Sequence, residues 1–232
     1  MLVWILIALV SGALILGAGL GLSGWLSNRV MGWLIAMAGG ALIISITLEL
    51  IEPAIEQAGL LFVMVAILAG GTLFTCVNYI IDEKVKRSEG SGLLVAVTLD
   101  GIPENLALGV ALIGAGPGAV AALAGSIFLS NLPEAAGSAK QMRDGGRSVG
   151  SILALWSGTA VILAAAALIG YFSLTYVSEG VLGIIRGFAA GTVVVSLASE
   201  VFPNAYKNSR HSAGFAVTVG LIFAICLHQL SN

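Results

Sequence analysis

LDGIPENLALG, residues 99–109, sets an aspartate, a glutamate, an asparagine and a helix-kinking proline into a stretch otherwise fit for the hydrocarbon of a bilayer. A carboxylate near the bilayer centre costs about 2.5–3.5 kcal/mol on insertion scales, so Asp100 and Glu104 need a partner that offsets them. What that partner is depends on what the rest of the chain places beside this segment.

The 232 residues are 58% hydrophobic and 9% charged, with a mean hydropathy of +1.04, more apolar surface than a water-soluble core can hide. Apolar runs of about 20 residues, each able to cross about 30 Å of hydrocarbon, fall near 2–24, 30–51, 59–81, 92–113, 117–139, 149–171, 181–203 and 212–230. The expectation is an all-α polytopic membrane protein, residues 1–232 forming a single eight-helix transmembrane domain. Arg29, Lys84, Lys86, Arg87, Lys140, Arg143, Arg147, Lys207 and Arg210 all fall between spans on one side, which the positive-inside rule reads as cytoplasmic, putting both termini outside. Arg186, within the seventh span, is the exception. The apolar start MLVWILIALV has no basic n-region, so the first span reads as retained. Cys76 and Cys226 read as small buried hydrophobes without a disulfide framework. A net charge of −2 and the absence of a long basic run give no reason to expect nucleic acid.

Seven of the twelve acidic residues lie in spans or at their ends: Glu49, Glu52 and Glu56 toward the outer end of the second, Asp100 and Glu104 in the fourth, Glu134 in the fifth and Glu200 in the seventh. Pro53, Pro103, Pro133 and Pro203 each lie within three or four residues of one of these carboxylates, and each frees a backbone carbonyl that a bilayer tolerates only beside a polar interior. Asp100 and Glu104 are spaced i, i+4 and share a helix face; Ser130, Asn131 and Glu134 form a corresponding stripe. Asp100 and Asn131 lie at the same depth, about 12 Å from the inner surface at the α-helical rise. DGIPEN and SNLPEA therefore read as two halves of one site. Gly183, Gly187 and Gly191 form a small-residue face suited to close helix packing, and Gly17 with Gly21 a GxxxG pair that admits a homodimer. His211 and His228 read as exposed or interfacial.

Carboxylates that converge with Asn and Ser oxygens, with no basic partner at their depth, suit a cation or a shared proton. Hard oxygen donors favour ions such as Mn²⁺ and Fe²⁺, whereas Zn²⁺ more often comes with His or Cys. The sequence has no HExxH, no GxSxG with a usable His and no Walker A motif, so it does not read as an enzyme or a primary pump and calls for no resident cofactor.

At these residues the chain resembles the ZIP (Zrt/Irt-like) family of divalent-metal transporters. DGIPEN resembles that family's fourth-helix HNxPEG, and SNLPEA its fifth-helix polar pair followed by PEG. AGGALIISITLELIEPAIE and FAAGTVVVSLASEVFPNA resemble its second and seventh helices. The resemblance implies eight spans, both termini outside, and cation uptake toward the cytoplasm, in the plasma (cell inner) membrane. It implies Asp100, Glu104, Asn131 and Glu134 as metal ligands and Leu42 and Glu49 as helix-2 positions that can line the path; with Glu49, the residues Glu52, Ser130 and Glu200 read as the transport pathway, with Zn, Mn, Fe or Cd bound in transit. Histidine is replaced by Asp100 at the fourth-helix position, and the sixth span has no carboxylate that could complete a second metal position. The alternatives on the same residues are a non-transporting metal-binding membrane protein and a proton or monovalent-cation pathway.

Overall fold

The structure, a computed structural model, describes residues 2–24, 27–85, 92–113, 121–174 and 176–231. Side chains at 2, 81–85, 92–97, 99–100, 121–122 and 230–231 lie outside this description, and so do the side chain of Asp100 and the basic cluster Lys84, Lys86 and Arg87. Among the described residues the chain is helical, without strands. Eight rods follow one another: α1 (Leu2–Ser23), α2 (Asn28–Ile46, then a π-turn Thr47–Ile51, then Glu52–Ala58), α3 (Leu60–Val85), α4 (Gly92–Ala111), α5 (Ala121–Asp144), α6 (Val149–Leu174), α7 (Glu179–Ser196, a π-turn Leu197–Val201, then Phe202–Ser209) and α8 (Ser212–Ser231). Ser27 caps α2 by accepting the Val30 N–H at 3.3 Å, and Gly59, at φ +82°, makes the turn into α3 that an L side chain would strain.

Six of the rods, α1, α2, α3, α6, α7 and α8, are long and apolar enough to cross a membrane, which makes this an integral membrane protein. The rod α5, of 24 residues, is long enough but carries a polar stripe and a charged end, and α4, of 20 residues, is long enough but has the side chains of 92–97 and 99–100 outside the described residues. Helices α2, α5 and α7 outrun the expected spans by about two turns or less. Residues 140–144 thus continue α5 instead of forming a loop.

Position in the bundle follows the carboxylates that α2 and α7 carry. In α2 and α7, 61% of the apolar window is buried, against 22% in α3 and α8, whose Leu61, Phe62, Leu68, Phe215 and Ile222 face outward as a lipid-facing surface must. Cys76 and Cys226 are on that surface, exposed, because the periphery here is itself apolar and offers a small hydrophobe no penalty.

The packing repeats within the chain. The pair α1–α5 matches α6–α4, the pair α2–α8 matches α7–α3, and α2–α5 matches α7–α4. Exchanging α1 with α6, α2 with α7, α3 with α8 and α4 with α5 thus preserves the main contacts, the hallmark of an inverted repeat. Local detail obeys the same exchange. A Cβ on Gly40 would run into the Val217 carbonyl and one on Gly220 into that of Met37; a Cβ on Gly191 would meet the Ile67 carbonyl and one on Gly70 that of Phe188. These are two equivalent crossings in which backbones touch. Gly17 and Gly21 likewise lie against the backbone of α5 at Leu132 and Ala136. The GxxxG face is therefore consumed within the chain and gives no support to pairing between copies.

Candidate functional site

The four helices that carry the carboxylates and prolines close into a central ring: α2 packs on α5, α5 on α4, α4 on α7 and α7 on α2. Two of them are shaped by proline in the same way. The Pro53 ring would collide with the carbonyl four residues back, at Glu49, and the Pro203 ring with that of Ser199. Both helices widen just ahead of the proline, so that the Glu52 N–H reaches the Thr47 carbonyl and the Phe202 N–H that of Leu197, five residues back. Glu49 and Glu200 sit inside these π-turns.

On α5 the residues Ser126, Ser130, Glu134 and Ser138 recur every four positions, a single stripe about 18 Å long. The three serines are buried. Ser126 meets Ser45 of α2 with 3.3 Å between hydroxyl oxygens, and Ser45 is one turn from Glu49. A seam of hydroxyls and carboxylates thus runs from the α2 π-turn along α5.

The seam ends in a polar cavity of about 390 Å³, lined by Glu134 and Glu200 together with Pro133, Ser138, Ser199 and Pro203. Its rim carries Lys140, Asp144 and Lys207, and Lys140 Nζ donates to Asn28 Oδ1 at 3.3 Å, joining the end of α5 to the start of α2. This is the basic end of the molecule, where Arg29, Arg143 and Arg210 also lie on the helix ends. Toward the other end the ring is filled by apolar side chains: Leu42, Ile46 and Leu50 of α2, Leu108 and Leu112 at the end of α4, Leu123 and Ile127 of α5, and Val193 of α7, all buried in one cluster.

The expected ligands are distributed unevenly. Glu134 and Glu200 share the cavity. Glu104 is buried, 4% exposed, and does not line the cavity, and beside it Asn105, fully buried, donates to the Gly101 carbonyl at 2.8 Å. The Oδ1 of Asn105 and the hydroxyl of Ser196, on packed helices α4 and α7, are buried with no hydrogen-bond partner among the described residues. Asn131 is buried against α1, its amide donating to the Val10 carbonyl at 3.4 Å, so its contribution to a cation would come from Oδ1. Ser130 donates to the Ile127 carbonyl at 3.1 Å. Glu52 is exposed, unlike Glu49, which is 7% exposed. Among the described residues no three His, Cys, Asp or Glu side chains gather as a metal cage. Asp100, the remaining expected ligand, has its backbone in α4 and its side chain outside the description.

Three polar contacts were not foreseen. His228, read as exposed or interfacial, is partly buried and lies with Nδ1 3.1 Å from Glu49 Oε1. Asn78, an isolated amide near the end of the apolar helix α3, donates to Glu200 Oε1 at 3.0 Å. Arg186 donates to the carbonyls of Val110 at 3.3 Å and Ile113 at 3.0 Å, so the unassigned intramembrane cation closes the C-terminal end of α4, where helix carbonyls and dipole both favour positive charge. The signal that could have found Asn78 and His228 is their register: each lies two residues after a cysteine, 150 residues apart.

Neither a model of a known protein family nor a curated protein sequence matches the chain.

Proposed function

We propose that the chain is a divalent-cation transporter of the ZIP type, with α4 and α5 completing eight spans, both termini outside, and net movement toward the cytoplasm across the plasma membrane. The observation that carries this reading is the ring of four carboxylate-bearing helices, polar and open at the basic end and packed with apolar side chains at the other. Such one-sided access to buried carboxylates is what a carrier needs and a plain ion pathway does not. In this reading Asp100, Glu104 and Glu134 hold the cation, with Asn131 Oδ1 and the orphan Asn105 Oδ1 as neutral oxygens, and Glu200 receives it in the cavity. An oxygen-dominated shell suits Mn²⁺ and Fe²⁺ at least as well as Zn²⁺ or Cd²⁺.

The test is uptake of each of the four ions into proteoliposomes holding the purified protein, with calorimetry alongside. Saturable uptake that Glu104→Gln and Glu134→Gln abolish is the expected result. Divalent binding without uptake would instead make the protein a membrane metal binder. Uptake of protons or monovalent ions alone would make it a different kind of pathway.

A further inference from the structure

We propose a second metal site, formed by Glu49 of α2 and His228 of α8, that takes a single borderline divalent cation of the zinc class. Its two donor atoms, Glu49 Oε1 and His228 Nδ1, are 3.1 Å apart. Two tetrahedral ligands at ordinary Zn–N and Zn–O bond lengths are separated by about 3.3 Å, so a cation replaces the shared proton with a shift of a few tenths of an ångström. The pair is also held in place. Glu49 is buried within the π-turn, the facing backbones of α2 and α8 are locked at Gly40 and Gly220, and the His228 side chain is 22% exposed, leaving one side open to water as further ligand.

Charge around the pair is mixed. Glu52, one turn along α2, and Arg186 of α7 both lie within electrostatic reach of Glu49. Arg186 is tied to the α4 carbonyls, and Glu52 is exposed and does not gather with the pair, so water is left to complete the shell.

The repeat supplies an internal control. At the equivalent place in the other half, Asn78 stands for His228 and Glu200 for Glu49. That pair has an amide whose nitrogen cannot bind a metal, so it offers oxygen alone. The two pairs therefore differ in donor type, and of the two the Glu49–His228 pair has the nitrogen–oxygen set that zinc-class ions prefer.

Cobalt(II) binding to the detergent-purified full chain tests this, read by equilibrium dialysis and by the cobalt visible spectrum. The parent is expected to bind one more Co²⁺ than His228→Asn, with loss of the imidazole–cobalt bands in the variant and at least a tenfold weaker affinity at that site in Glu49→Gln. Asn78→His is expected to gain one Co²⁺. Unchanged elution on size exclusion shows that each variant is folded. Equal Co²⁺ stoichiometry and spectra in the parent and His228→Asn overturn the site. Because the readout is binding, it separates from the transport reading: a chain that moves no cation yet loses Co²⁺ with His228→Asn keeps this site and loses that reading, and the converse result does the reverse.

Discussion

Asn78 holds Glu200 at 3.0 Å from the same place in its half of the bundle as that from which His228 meets Glu49 at 3.1 Å. Both carboxylates sit in π-turns, both turns precede a proline, and both partners come from the lipid-facing helix that crosses at a glycine pair. Four residues 150 or 151 positions apart thus build one motif twice, once toward each end of the ring.

The glycine crossings set the spacing on which that motif depends. Gly191→Ala puts a methyl group into the Ile67 carbonyl, a backbone atom that cannot rotate away, so α3 and α7 must separate. A loss of about 1–3 kcal/mol is expected, seen as a lowered thermal unfolding midpoint in detergent. Gly158→Ala, where nothing lies within 4 Å, should leave the midpoint unchanged or raise it slightly.

Glu104 and Glu134 occupy equivalent positions thirty residues apart but unequal surroundings, one buried away from the cavity and one lining it. Glu→Gln at either keeps size and removes charge. Calorimetry should show divalent affinity falling by one to two orders of magnitude in each variant, about 1.4–2.8 kcal/mol. Parent-like binding in both would move the site toward Glu200.

Asp100 decides metal preference if it ligates. Asp100→His should raise Zn²⁺ uptake relative to Mn²⁺, because imidazole suits zinc better than carboxylate alone, whereas Asp100→Ala should weaken all divalent ions. Identical competition profiles for the two variants would remove Asp100 from the shell.

The cavity makes a prediction about access. With exposed Cys76 and Cys226 first replaced by Ser, cysteines placed at Glu134 or Ser199 should react rapidly with a membrane-impermeant thiol reagent applied at the basic side. Cysteines at Leu42 or Leu50, in the apolar cluster, should not. Comparable labelling at all four would mean that the ring is open throughout.

Much of this was readable in the chain before the fold was known. Hydropathy and basic residues mark the eight rods, and the clustering of acids with prolines marks the four that form the ring. Side-chain direction was not readable. Asn131 lies on the expected stripe, yet its amide turns to the backbone of α1, a neighbour that no local pattern announces. Arg186 could be seen to be alone in the membrane, but not that the end of α4 would come to it. The partner of His228 was not readable, because the π-turn that aims Glu49 at it depends on one extra residue per turn, which the α-helical period does not anticipate.

The inverted packing has a consequence for the electrostatics of passage. Exchanging the halves carries the cavity-lining Glu134 onto Glu104 and Glu200 onto Glu49, while Lys140 maps to Val110 and Lys207 to Glu56. A vestibule opened at the far end by that exchange would be walled by acids without those two lysines but with Arg186, tied to the α4 carbonyls, near Glu49, so the two faces would offer a cation different fields. The bundle is symmetric in how it packs and polarised in what it displays.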